Sequence, residues 1–476
     1  MNGGGAKGDR EAASRTGSDP GVRKVTLLVL AASAIFGLAL VVIIPPWQSP
    51  DEPTHFEYVK VLASGDPPWS PRSDPGLQEE IIVSMDRHDY WRYLRLEEPR
   101  PLPRTFRGTP FLSAAPSQIG KNPPLYYFLA SLVLRWPAAR SLESELYRLR
   151  LFSLFFTLLT VILVAGCAGE VFGRSSPLVP AATAAAAFIP QVLVIGTSVS
   201  PDPPINCIGA AVIYLVLRSR TNGFTPARTF LILCLLGLGV MINYKGLILL
   251  AVLPVVLLLH FLPRRRGAPA PARAAGWTGL VALLLAAGYA ALVWYFPEVA
   301  RVFIVRLNIF SSTLLDFLYG RVNFRPGYWS WFHGELFKSF WLKYGWLIYE
   351  LPGFVYRFLA AASGISLFGV VIFLGRSAAG RGSPSVRRRE TVTTLIVFAA
   401  AVLVAIYLFW GLKGSTIITQ GRHLFLVMPA WAILFTLGWS SLFPARWARL
   451  VGYGLLGGFF LLAAGSILFF ILPTFS

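Results

Sequence analysis

Charge is scarce in this chain. Asp, Glu, Lys and Arg supply only 14% of 476 residues, against 55% hydrophobic, where a soluble globular chain carries about 25% charged residues. So little charge cannot cover a water-facing surface, and so apolar a chain is not a disordered polymer. Cysteine is equally scarce. Cys167, Cys207 and Cys234 all lie in apolar runs and no pair has ligand spacing, which argues against a disulfide framework or a thiolate metal site. No Gly-rich phosphate loop of the nucleotide-binding kind is present. The class these absences leave is a polytopic membrane protein.

What is present is a series of long apolar runs. Residues 1–24 are polar, Gly-rich and basic, and read as a disordered cytoplasmic tail. Val25 to Ile44 is a run of span length with no cleavage site after it, read as a retained first span. Further runs lie at 149–169, 178–198, 203–217, 229–243, 246–262, 275–296, 353–374, 391–411, 424–443 and 450–472. The expected fold is all-α, a transmembrane helical bundle of about eleven spans occupying residues 25–476.

The run from Leu125 to Trp136 is the point of decision. At about 1.5 Å per residue it covers about 18 Å, short of a hydrocarbon core of about 30 Å. It is read as an interfacial helix, with Asn122 as its cap and Pro123 in its first turn. Loop charge supports this independently. With the N-terminus in the cytoplasm and 125–136 kept on the outer face, one side receives every short Arg cluster. These are Arg174; Arg218, Arg220 and Arg228; Arg264, Arg265, Arg266 and Arg273; Arg376, Arg381, Arg387, Arg388 and Arg389; and Arg446 and Arg449. If 125–136 crossed, all of these would flip outward. The formal charge of +20 is then mostly cytoplasmic anchoring and implies no nucleic-acid partner. Two large loops, 45–148 and 297–352, face outward.

The spans carry almost no charge in their middles, whereas an ion-coupled transporter keeps ionisable groups near the midplane. Ionisable groups collect at the outer face instead: Asp51, Glu52, His55, Lys121, Asp202, Lys245 and Arg422. Each has an ordinary reading beside a chemical one. Ser49 and Glu52 match a capping box, with Gly65 ending the helix they start. Alternatively, a carboxylate at a span exit can take a proton from a hydroxyl or hold a divalent ion, and Asp51 and His55 share a helical face. Asp202, between prolines, is a turn acid or a second carboxylate. Two such acids from separate spans, Asp51 and Asp202, can flank one metal ion, Mg or Mn, or one sugar. Lys245 is a snorkelling anchor or a partner for a lipid phosphate. Arg422, unusual at an outer span end, has a planar fork suited to phosphate. The aromatic loop around Trp341 reads as an interfacial belt, or as a surface that stacks on a sugar or clamps an isoprenoid chain.

Several motifs stand in a fixed order: Pro50-Asp51-Glu52-Pro53-Thr54-His55, Asn122-Pro123-Pro124-Leu125-Tyr126-Tyr127, Asp202, a hairpin running from Gly239 to Lys245, Ser339-Phe340-Trp341-Leu342-Lys343-Tyr344-Gly345-Trp346, and Gln420-Gly421-Arg422. This ordered set resembles the GT-C superfamily of integral-membrane glycosyltransferases, in a bacterial branch with Pro-Asp-Glu-Pro and Gln-Gly-Arg motifs. The resemblance implies transfer of a sugar, with inversion, from a polyprenyl-phosphate donor to an extracytoplasmic glycan, lipid or protein acceptor. The enzyme would lie in the cell (inner) membrane and serve the cell envelope. Asp51 would be general base or metal ligand, with Glu52 its neighbour and Asp202 the second-loop acid. Lys245 and Arg422 would bind donor phosphate, and His55, Lys121, Tyr126 and Trp341 would line the substrate site. Asn122 departs from the pattern, standing where related enzymes often carry Lys or His, and Lys121 would supply that charge. A lipid or polysaccharide transporter is the rival reading, distinguished by polar residues through the membrane depth.

Overall fold

A computed structural model describes residues 19–113, 117–135, 141–250, 294, 297–379, 386–413 and 420–476. Helix α1 spans Pro20–Ile43, starting five residues before the apolar run because Asp19 caps it through Gly21 N and Pro20 suits the first turn. Its 24 residues reach about 36 Å, enough to cross a bilayer. Leu28, Ile35 and Val42 recur every seventh residue on its exposed side, an apolar stripe suited to lipid.

After α1 the chain builds a polar-capped layer: α2 (Glu52–Ala63), α3 (Pro75–Arg87), a single turn at Tyr90–Tyr93, and α4 (Leu125–Leu134). Helix α5 (Leu142–Phe172) then runs 31 residues, started by the Ser141 side chain and stopped at Gly173. Helices α6 (Leu178–Ala187) and α7 (Pro190–Gly196) form one element bent by 56°, where Pro190 opens the second segment. Next come α8 (Asp202–Asn222), α9 (Pro226–Ile242), α10 (Gly246–Leu250), α11 (Pro297–Leu318) and α12 (Tyr328–Trp341). A two-stranded hairpin, β1 (Lys343–Tyr344) with β2 (Tyr349–Glu350), leads into α13 (Gly353–Ala378), α14 (Val386–Phe409), α15 (Met428–Ser441) and α16 (Ala448–Ser466). Helices α13 and α15 touch backbone to backbone: a Cβ on Gly369 would lie 1.9 Å from the Gly438 carbonyl oxygen. Small residues permit this approach in membrane bundles.

Side-chain contacts sort the helix ends into two groups. At one end Asp19 N donates to Ser175, Arg220 pairs with Glu390, Arg376 donates to the Ser441 carbonyl and Arg389 to the Ser377 carbonyl. At the other, Arg150 near the start of α5 donates to the Ile44 carbonyl at the end of α1, and Lys245 pairs with Asp202. The segment between α1 and α5 therefore leaves and returns at the same end, so the ten-residue α4 does not cross. Arg220, Arg376 and Arg389 thus lie at the end opposite the polar layer.

Six helices are long and apolar enough to span a membrane, and the bent pair makes a seventh candidate. The expected count of eleven is not reached among the described residues. Helices α8 and α9 run between the same two ends but fall short in apolar length. The runs at 246–262 and 275–296, and Arg264 to Arg273, lie almost wholly outside the described residues, as does Trp136.

Candidate functional site

The loop joining α1 to α2 carries two non-glycine residues in the left-handed region, Trp47 (φ 71°) and Asp51 (φ 62°). That conformation is uncommon outside glycine, though Asp tolerates it. Asp51 is the cap position of α2 but makes no side-chain cap hydrogen bond. Its carboxylate, about one-third exposed, instead faces the Arg422 guanidinium at 3.8 Å. The expected capping box is not formed. Glu52 meets Ser49 only through backbone, N to O at 3.2 Å, and its side chain turns inward.

There Glu52 meets Arg150, a residue sequence reasoning missed. Arg150 Nε and Nη2 donate to the two Glu52 oxygens at 3.0 and 2.7 Å. The same guanidinium donates to the carbonyls of Val41, Ile44 and Pro45, which the end of α1 leaves without helical partners. Glu52 also accepts from Trp47 N and Val199 N, each at 3.2 Å. One ion pair thus ties the end of α1, the Asp51 turn and the loop before Asp202. The available signal was an Arg inside the margin of an apolar run, a costly placement that asks for a partner.

Asp202 is the first residue of α8, preceded by Pro201 at the cap position, where the helix dipole favours an acid. Lys245 Nζ donates to its Oδ1 at 2.5 Å, and Arg422 Nε stands 3.4 Å from its Oδ2. Asn243 holds the Lys245 turn by accepting from Lys245 N at 2.8 Å. Burial pulls the Lys245 ammonium down to about 8, with Asp202 pulling the other way. Asp51, Arg422, Asp202 and Lys245, from four distant segments, therefore form one chain of alternating charge.

Around this chain lie the remaining expected residues. His55 Nδ1 and the Tyr127 hydroxyl are 2.8 Å apart, and burial lowers His55 to about 4, leaving a neutral ring at pH 7. Tyr126 is buried on α4; desolvation raises its pKa, and the charges of Glu52 and Asp202 push the same way. Lys121 is half-buried on the strap before α4. That strap is fixed by Gln118, which donates to Thr54, whose hydroxyl in turn donates to the Asp51 carbonyl. Asn122 does not cap α4: its amide donates to Gln118, and Pro124 holds the cap position. Trp341 is not at the ionic chain. It is 3% exposed within the apolar core, with ring contacts to Phe340 and Phe459. It borders an apolar cavity of about 550 Å³ between α12, α13, α14 and α15.

The late motifs serve this geometry. Gly421 N donates to Ser339 Oγ at 2.8 Å, and a Cβ at Gly421 would fall 2.2 Å from Phe340 N. Gln-Gly-Arg and Ser-Phe-Trp are thus the two sides of one close contact that aims Arg422. Trp346, from the same motif, donates its indole N–H to the Trp47 carbonyl at 2.9 Å, bracing the Asp51 turn.

The expected divalent ion is not matched by these donors. Among the described residues no group of three or more His, Cys, Asp or Glu gathers for a metal. Asp202 is taken up by two cations, and a divalent ion there would face both.

A family model described as "Predicted membrane protein (DUF2142)" matches residues 34–431. A search of curated proteins finds no match. Among solved structures, the chain is similar to ArnT from Cupriavidus metallidurans in the apo state, at 15% identity and a TM-score of 0.47, covering 93% of this chain and 64% of that one. The same protein bound to undecaprenyl phosphate gives 14% identity and a TM-score of 0.44, covering 94% and 73%. The archaeal oligosaccharyltransferase AglB from Archaeoglobus fulgidus, with an inhibitory peptide and a dolichol-phosphate, gives 13% identity and a TM-score of 0.46, covering 94% and 55%. The chain thus spans less than two thirds of the length of the first of these structures.

Proposed function

The chain belongs to the DUF2142 family of predicted membrane proteins, and we propose that it is a membrane glycosyltransferase moving a sugar from a polyprenyl-phosphate donor to an extracytoplasmic acceptor. The observation that carries this reading is the convergence of Asp51, Asp202, Lys245 and Arg422 at one end of the bundle. Two cations held beside two acids supply both needs of the reaction. The phosphate leaves with negative charge, which Arg422 and Lys245 stabilise. The acceptor hydroxyl is a poor nucleophile, and Asp51, the more exposed acid, takes its proton.

In this reaction the acceptor oxygen attacks the anomeric carbon and the carbon–oxygen bond to phosphate breaks. The proton passes to Asp51, and the anomeric centre inverts. Asp202 holds Lys245 and Arg422 in place, and Glu52, locked to Arg150, fixes the backbone on both sides. The apolar cavity beside Trp341 is suited to a segment of the isoprenoid chain, which keeps Trp341 on the substrate side as a wall for lipid. Ionic side chains at one end favour an enzyme over a transporter. Arg-rich helix ends at the opposite end favour a cytoplasmic N-terminus and an extracytoplasmic site.

The test is incubation of the purified protein with a panel of polyprenyl-phosphate sugars and membrane extract, followed by mass analysis. A product heavier than its acceptor by one sugar, with free polyprenyl phosphate released, supports the proposal. No transfer from any donor counts against it.

A further inference from the structure

The ionic chain leaves polar atoms over. Among the described residues, Asp202 Oδ2, Arg422 Nε, His423 Nδ1 and Gln420 Oε1 are buried and make no hydrogen bond. Asp202 Oδ2 and Arg422 Nε face each other as an ion pair at 3.4 Å, whereas His423 Nδ1 and Gln420 Oε1 have no hydrogen-bond partner among the described residues, and buried polar atoms are seldom left so. His423 is 5% exposed and Asp202 4%. The His423 ring is held flat against Trp410, centroids 4.2 Å apart and planes within 9°, which fixes where its nitrogens point. This set does not suit a phosphate alone. Phosphate oxygens accept from Arg422 but offer nothing to Gln420 Oε1, which is itself an acceptor. A sugar hydroxyl both donates and accepts, and the donor's sugar is joined directly to the phosphate that Arg422 would bind.

We infer that Gln420 and His423, beside the Asp202–Arg422 ion pair, form the subsite for the donor's sugar ring, and that this subsite selects a neutral hydroxyl-bearing ring over a carboxylated one. A carboxylate would bring only acceptor oxygens to Gln420 Oε1, while the two nearby cations, Lys245 and Arg422, are already engaged by Asp202 and the donor phosphate. Trp410 acts only through His423, as the surface that orients it. The inference rests on the glycosyl-transfer reading above.

The experiment compares three ligands on the full chain in lipid nanodiscs: bare polyprenyl phosphate, polyprenyl phosphates carrying neutral hexoses or pentoses, and polyprenyl-phosphate hexuronate. The wild type is expected to bind at least one neutral-sugar carrier about tenfold tighter than bare carrier, the scale of one or two added hydrogen bonds. It should bind the hexuronate no tighter than bare carrier. His423→Phe keeps a ring against Trp410 and removes the nitrogen; Gln420→Met keeps the volume and removes the amide. Each is expected to lose most of the sugar-dependent gain while binding bare carrier as the wild type does. Equal wild-type affinity for bare and neutral-sugar carriers, retention of the gain in both variants, or tighter binding of the hexuronate would overturn the subsite. If bare carrier binds and sugar is transferred despite those results, the subsite alone fails. If no carrier binds, both readings fall.

Discussion

Arg150 and Glu52, 98 positions apart, form a two-pronged ion pair with side chains 1% and 0% exposed. The pair reaches three backbone carbonyls at the end of α1 and two backbone N–H groups, at Trp47 and Val199. Replacing Arg150 by Met strands a carboxylate in the interior, and breaking a buried pair this way costs about 3–5 kcal/mol. Thermal unfolding of Arg150→Met in detergent is therefore expected to drop sharply. The double variant with Glu52→Gln should recover part of the loss, because no unpaired charge remains. Single and double variants of equal stability to wild type would show that the pair does not brace the loop.

A second expectation concerns the contact that aims Arg422. A methyl group on Gly421 would press on the backbone of Phe340, 2.2 Å from its nitrogen and 2.4 Å from its Cα, and backbone cannot step aside as a flexible side chain can. Gly421→Ala should lose about 1–3 kcal/mol of stability, the usual scale of overpacking, and weaken binding of polyprenyl phosphate. Unchanged melting and unchanged affinity would separate the motif from Arg422 placement.

The pH dependence follows from Lys245. Its pKa of about 8, lowered by burial, leaves it cationic below that pH and neutral above. His55, lowered to about 4 by burial, stays neutral throughout that range. A polyprenyl-phosphate sugar keeps a single negative charge, so its affinity should be flat near neutrality and fall as pH rises past about 8. Bound phosphate favours charged Lys245, so the fall begins at about pH 8 and continues up to the raised pKa of the complex. Lys245→Arg, whose guanidinium stays charged throughout the accessible alkaline range, should abolish the fall. A fall that persists in that variant would assign it to another group.

Sidedness gives a fourth expectation. In a background without native cysteines, Ser64→Cys, beside the polar layer, should react with an impermeant thiol reagent applied to intact cells. Arg446→Cys, a residue counted in the inner loops, should react only after the membrane is opened. The reverse pattern would place the ionic chain in the cytoplasm.

Much of this was legible in sequence because apolar length and loop charge are local signals. The apolar bodies of α1 and α5, read as runs at 25–44 and 149–169, the non-crossing α4 and the helix ending before Gly65 all follow from such signals, while the polar starts of α1 at Pro20 and α5 at Leu142 do not. The ionisable residues of the cluster were legible as well, since charge at a span end is conspicuous. What stayed hidden depends on distant partners. Ser49 and Glu52 have capping-box spacing, yet Arg150 outcompetes the local bond, because a buried bidentate ion pair is stronger than a cap. Asn122 has cap chemistry but meets Gln118 first. Trp341 sits in a motif, and nothing in its own neighbourhood tells that it faces Phe459 rather than the ionic chain.

In the proposed reaction Asp51 accepts the acceptor's proton while Arg422 and Lys245 hold the donor phosphate. Asp51→Asn is nearly isosteric and keeps the turn. Single-turnover transfer, measured beside donor binding on that variant, separates the two roles. Transfer should slow by about 10²–10⁴-fold, the usual contribution of a general base, with donor binding preserved. Transfer at the wild-type rate would contradict this role for Asp51.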